Sequence, residues 1–136
     1  MKGKITTHFS WEEMIRSRTA EANGIENRPG TSEMVALERL VVELLQPLRD
    51  TYGKPIRISS GYRCAELNRL VGGVASSQHT KGEAADCVTR DAGELLRVLK
   101  DSGLLFDQAI WYTKRNFLHL SLRKAGNRKQ FIVYNT

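Results

Sequence analysis

One apolar stripe limits the architecture more than any other feature of the chain. Met34, Leu37, Leu40, Val41, Leu44, Leu45 and Leu48 recur at three- and four-residue steps, the period of a helix that buries one side. Thr31 or Ser32 is the expected N-cap. Pro47 falls late in the run and is expected to kink or restart the helix, and Tyr52-Gly53-Lys54-Pro55 to end it. Such a helix needs a surface to pack on, and the second half of the chain has the residues for a sheet. Ile56 to Ser60 and Ala84 to Val88 read as strands. Phe106 to Tyr112 and Phe117 to Leu122 read as a hairpin around Thr113-Lys114-Arg115-Asn116, and Gln130 to Tyr134 as a last strand.

Shorter helices fill the gaps. Ser10 with Glu13 forms a capping box, and Phe9 and Met14 can staple that end. Cys64 to Leu70 and Asp91 to Lys100 show helical spacing, while Asn23-Gly24, Asn27 to Gly30 and Val71 to Ser77 are turn or loop material. Helices come first and strands later, so the class is α+β, with a mainly antiparallel sheet and flanking helices.

The 136 residues fit one domain spanning 1–136, and a monomer is expected. The net charge of +6 favours anionic partners, yet the densest basic run (Arg115, Arg123, Lys124, Arg128, Lys129) is scattered enough to be a solvated face. Glu33, Glu38 and Glu43 along the best helix argue against a nucleic-acid partner. No stretch is apolar enough to span a bilayer. The polar N-terminus is not a signal peptide, so the chain as written is expected in the cytoplasm. Cys64 and Cys87 form no CxxC pair, which excludes a four-thiolate zinc site; two buried free thiols are expected.

The chemistry gathers around a few residues. The chain has three histidines, His8, His79 and His119, and open zinc sites use about three nitrogen or carboxylate ligands. Gly82 lets the backbone turn between His79 and Asp86. Asp86 sits inside the apolar segment Ala84-Ala85-Asp86-Cys87-Val88, where a carboxylate costs several kcal/mol unless paired or metal-bound. Strand alternation sends His119 away from Leu118, Leu120 and Leu122. An arginine would also satisfy Asp86, so spacing alone leaves a metal and an ion pair both open. His8 reads as a surface or capping residue.

Three segments carry a resemblance: Ser59-Ser60-Gly61-Tyr62-Arg63, Ser77-Gln78-His79-Thr80-Lys81-Gly82-Glu83-Ala84-Ala85-Asp86, and Phe117-Leu118-His119-Leu120-Ser121. In order and spacing they resemble the signature of the M15 peptidases. These are zinc D-Ala-D-Ala carboxypeptidases, D-alanyl-D-alanine dipeptidases and phage endolysins that cut the L-Ala-D-Glu bond, with a fold shared by the hedgehog signalling domain. The resemblance reaches from about Phe9 to Val133. It implies a zinc ion on His79, Asp86 and His119, and a peptidoglycan stem peptide as substrate. It puts Arg63 at the cleft, where it holds a substrate carboxylate or an oxyanion, with Ser77 and Gln78 lining the cleft and Ser121 supporting His119. A phage-encoded enzyme released to the cell wall fits the same pattern.

One departure bears on mechanism. Many members of that family carry a glutamate shortly before the last histidine as general base, and Trp111 to Leu118 contain no acid. Asp107 is the nearest upstream carboxylate and the expected base. Glu83 falls on the opposite strand face from Asp86, and Tyr112 is the remaining group that could polarise substrate. The rival expectation is a catalytically silent zinc-binding module that recognises wall peptide or a protein partner.

Overall fold

The apolar stripe forms its helix in three consecutive pieces: α3 (Thr31–Leu40), a π-helical turn (Val41–Leu45) and α4 (Gln46–Tyr52). The computed structural model describes residues 3–136. The wide turn lies immediately before Pro47, which lacks an N–H and crowds the carbonyl one turn back. The Gln46 N–H donates to the Val41 carbonyl, five residues away, so the strain is absorbed as a π turn with no break. Gly30, and neither Thr31 nor Ser32, occupies the N-cap; its N–H donates to Glu33 Oε1 at 3.0 Å. Gly53 closes the run in the left-handed region at φ 72°, its N–H donating to the Arg49 carbonyl.

Five strands make one open sheet: β1 (Arg57–Ser60), β2 (Ala84–Val88), β3 (Gln108–Tyr112), β4 (Phe117–Ser121) and β5 (Gln130–Tyr134), in the order β1-β2-β4-β3-β5. Pairing is antiparallel except at the edge, where β5 runs parallel to β3. The sheet is mainly antiparallel, as expected, with one parallel pair at its edge, within an α+β fold. α5 (Ala65–Leu70) and α6 (Ala92–Ser102) complete the frame, α6 capped by Asp91 accepting from the Glu94 N–H at 3.1 Å.

The two sheet faces have separate work. Ile58, Ala85, Cys87, Ala109, Leu118 and Leu120 are buried together with Leu37, Leu40, Leu44, Leu48, Leu95 and Leu99 of the helices. The alternate residues Asp86, Ile110, Tyr112, Phe117 and His119 are only partly buried on the other face. Both cysteines are free. Cys87 is buried, where burial pushes its thiol far above the ordinary range, but Cys64 is only half-buried. No helix among the described residues is long and apolar enough to cross a membrane.

The N-terminal helices fasten the open edge of β1. In α1 (Trp11–Ile15) Ser10 Oγ accepts from the Glu13 N–H at 3.1 Å, but the Glu13 carboxylate turns to the Ile58 N–H at 3.2 Å. The capping box is thus half formed, because the unpaired strand edge outcompetes the helix end for the carboxylate. α2 (Arg18–Ala22), capped by Ser17, lies in a stretch with no clear periodic signal. Leu44 is fully buried at the centre of the helix–sheet contact. Leu44→Ala is expected to destabilise the protein by about 2–5 kcal/mol, read as a lower urea midpoint.

Candidate metal centre and cleft

The centre is built from one strand pair and one loop. Asp86 on β2 lies directly opposite His119 on β4, so both side chains leave the sheet on the open face. His79 comes from a 3-10 turn (Gln78–Lys81) just ahead of β2. Ser77 Oγ accepts from the His79 N–H at 3.2 Å, and Gly82 reverses the chain at φ 74°. A Cβ on Gly82 would also collide with the Glu33 backbone, so the turn is pressed against α3 as closely as glycine allows.

His79, Asp86 and His119 each offer a ligand atom within 4.8 Å of the others, a group that could hold a metal ion. Asp86 Oδ1 lies 2.9 Å from His119 Nδ1 and 3.3 Å from His79 Nε2. His79 Nδ1 is 2.7 Å from the Gly61 carbonyl oxygen. A carbonyl only accepts, so Nδ1 carries the proton and Nε2 of the neutral ring is a bare lone pair. That nitrogen is buried, has no hydrogen-bond partner, and faces a carboxylate oxygen. Two acceptors turned towards each other in a buried site repel unless a cation lies between them. The donor set of two imidazole nitrogens and one carboxylate fits zinc, and the Gly61 carbonyl orients His79 as an outer partner should. Burial pushes the Asp86 carboxyl up, but the hydrogen bond from His119 leads the effects that outweigh it and hold the group ionised, well below the usual carboxylate range.

The centre opens into a cleft of about 1150 Å³ lined by Ser59, Ser60, Arg63, Ser77, Tyr112, Arg115 and Phe117 as well as His79, Asp86 and His119. Arg63 is mostly buried and held on three sides: Nε donates to Ser60 Oγ at 3.2 Å, Nη1 donates to Asn68 Oδ1 at 3.0 Å, and Nη2 stands 4.0 Å from Asp86 Oδ2. Its own N–H donates to the His79 carbonyl at 3.1 Å, so the guanidinium and the histidine turn are mutually anchored. On the other flank the rings of Tyr112 and Phe117 stack at 4.5 Å with 13° between planes. Burial, first of all, pushes the Tyr112 phenol above its ordinary value, so it stays a hydroxyl at neutral pH.

A family model described as Peptidase M15 matches residues 7–121. The chain belongs to the peptidase M15 family. This is a family of peptidases that are typically metal-dependent, and the match spans every residue of the His-Asp-His cluster. No curated protein matches the chain.

Within this M15 chain several expected site residues lie elsewhere. Asp107, the expected base, has no exposed surface and does not join the cluster. It precedes β3 in phase with Ala109, which faces the helices, and out of phase with Ile110, which pairs with His119. Both its oxygens are taken: Arg128 Nε and N–H donate to Oδ1 at 3.0 Å each, while Arg128 Nη2, Arg123 Nε and Gln78 Nε2 reach Oδ2 at 2.7, 3.1 and 3.1 Å. The Arg128 guanidinium holds the carboxyl down at about 2. Asp107 is therefore a clamp on the C-terminal segment and not a base, because a carboxylate so fully bonded has little affinity for a proton. Gln78 spends its amide on this clamp and does not line the cleft. Ser121 is buried and accepts from the Gln108 N–H at 3.0 Å in place of supporting His119. His8 stands apart, bonded to Gln46.

Three partners escaped sequence reasoning: the Gly61 carbonyl, Asn68 behind Arg63, and Arg115. The first acts through a backbone atom and the second through a helix contact, neither of which leaves a residue-type signal. The Asp107 clamp makes a pH prediction. Its carboxyl titrates lower folded than unfolded, so its contribution is complete above about pH 4 and lost as pH falls through about 2. Asp107→Asn should lower the urea midpoint at neutral pH, and the wild-type and variant curves should converge in acid.

Proposed function

We propose that the protein is a zinc-dependent peptidase that hydrolyses peptidoglycan stem peptides. The observation that carries this reading is the bare, buried Nε2 of His79 facing Asp86 Oδ1, with His119 completing the set. When bound, zinc in such a three-ligand site supplies a Lewis acid and acidifies water. His79, Asp86 and His119 hold it. Arg63, fixed by Ser60 and Asn68, offers its remaining N–H groups to a substrate carboxylate or to the oxygen that gains charge. The Tyr112 hydroxyl, kept protonated by burial, donates to the same substrate from the other flank. Six cationic side chains against three carboxylates line the cleft, a balance that favours the acidic peptides of the bacterial wall.

A second reading, the silent zinc-binding module, is favoured by one observation. Among the described residues the cleft carboxylates are Glu12, Glu13 and Asp86; Glu12 is exposed on α1 and outside the His-Asp-His cluster, Glu13 serves the Ile58 N–H, Asp86 faces the histidines, and Asp107 is locked by arginines. Elemental analysis of wild type and His119→Ala, followed by peptide release from purified peptidoglycan, separates the readings. The peptidase predicts about one zinc per chain, lost or weakened in the variant, and release that stops on chelation and returns with zinc. One zinc with no release from any wall type would leave the binding module. No zinc after refolding with the metal present sinks both.

A further inference from the structure

The β3–β4 turn carries a cation that the metal centre does not use. Arg115 is exposed, lines the same cleft as Asp86 and His119, and takes no part in the ion pairs formed among the described residues. Its guanidinium carbon lies 4.9 Å from the Tyr112 ring centre and 5.3 Å from that of Phe117. Both distances are within cation–π range, so the rings hold the guanidinium beside them, and its side-chain N–H groups are bonded to no other described residue and are free to receive a carboxylate.

The turn beneath it is fastened from two directions. Asn116 takes a left-handed φ of 54°, its Oδ1 accepts from the Ala92 N–H at 3.0 Å, and its Nδ2 donates to the Arg90 carbonyl at 3.0 Å. The N–H groups of Lys114 and Arg115 donate to the Thr136 carbonyl oxygen at 3.1 and 3.3 Å, and that of Thr113 to the Tyr134 carbonyl at 2.9 Å. Phe117, under Arg115, precedes His119 by two residues of one strand, about 7 Å. An extended peptide crossing the metal centre covers that distance in about two residues.

We propose that Arg115 is a specificity-determining residue that receives a substrate carboxylate about two peptide residues from the metal centre, distinct from the group held at Arg63. The proposal rests on the peptidase reading and names its substrate class: peptides with a carboxylate at that distance, preferred over the matching amides. The probes are the synthetic stem pentapeptide L-Ala-γ-D-Glu-L-Lys-D-Ala-D-Ala, the same peptide with the D-Glu α-carboxylate amidated, and the same peptide with a C-terminal carboxamide. Binding to the zinc-loaded protein is measured by calorimetry, with zinc content checked on each sample.

Wild type should lose about five- to tenfold in affinity on one of the two amidations, the size expected of a charge-assisted pair open to solvent. Arg115→Gln should erase that loss with zinc content unchanged, whereas Lys114→Gln, in the same turn but outside the cleft lining, should keep it. In turnover the Arg115→Gln change should fall on KM. If Arg115→Gln preserves the acid-over-amide ratio, or Lys114→Gln abolishes it too, the Arg115 assignment is wrong and the peptidase reading stands. A wild-type protein that holds zinc but binds none of the three peptides overturns the peptidase reading, and Arg115 falls with it.

Discussion

One carboxylate inside the sheet, Asp86, sets the terms for this fold. Asp86 sits in the second strand of a five-stranded sheet, between Ala85 and Cys87, which are both fully buried. An ionised group there must be compensated, and the groups that face it come from different parts of the chain: His119 from the neighbouring strand, His79 from the preceding turn, and Arg63 from the segment after β1. The register of β2 on β4 is consequently fixed by chemistry as well as by packing. A slip of one residue would send Asp86 into the leucines and Cys87 into the cleft.

The protein contains a second carboxylate, this one fully buried, with the opposite assignment. Asp107 is met by arginines that neutralise it, along with Gln78, whereas Asp86 is met mainly by two imidazoles that leave a lone pair uncompensated. Arginine is always charged and satisfies a carboxylate outright. Neutral histidine does so only through its one N–H, and His79 has spent that N–H on Gly61. One acid is thus finished as a structural tie, while the other, with His119, leaves an unpartnered His79 nitrogen in a group that could hold a metal ion. The two are linked through Gln78 and His79, adjacent in one short turn, so the clamp that holds the C-terminal segment also braces the loop of a candidate metal ligand.

Much of this was legible in the sequence, and the reasons differ by element. The helical stripe and the alternation of β2 and β4 reflect burial on one side, which residue type records directly, so the α+β class and most strand positions could be read; the grouping of His79, Asp86 and His119 was implied by the motif resemblance, since spacing alone left an ion pair open. The parallel placement of β5 could not, because a strand at a sheet edge pairs through backbone groups that carry no sequence signature. Asp107 misled for a related reason. Its partners Arg123 and Arg128 lie 16 and 21 residues on, inside a basic run that reads as a solvated face, and only the return of the chain along β5 brings them back. The π turn before Pro47 shows a local rule met by an unexpected device: the proline's demand was foreseen, its solution was not.

Arg63 and Arg115, both in the cleft lining, differ in kind. Arg63 is buried, and burial, opposed by Asp86, lowers its pKa from the ordinary value; its hydrogen bonds to Ser60 and Asn68 fix it in one position beside the metal ligands. A group so placed discriminates by geometry, since a carboxylate must fit the space beside Asp86 to reach it. Arg115 is exposed and lies against the Tyr112 and Phe117 rings; under the proposed reading it discriminates by charge, at a distance set by the spacing of Phe117 and His119. Under the proposed reading, a peptide lying across the sheet would meet the rigid arginine beside the His-Asp-His cluster and Arg115 farther along. Selection by the second would be weaker per contact, because water screens it, so it would distinguish an acid from an amide without the chemistry at the cluster depending on it.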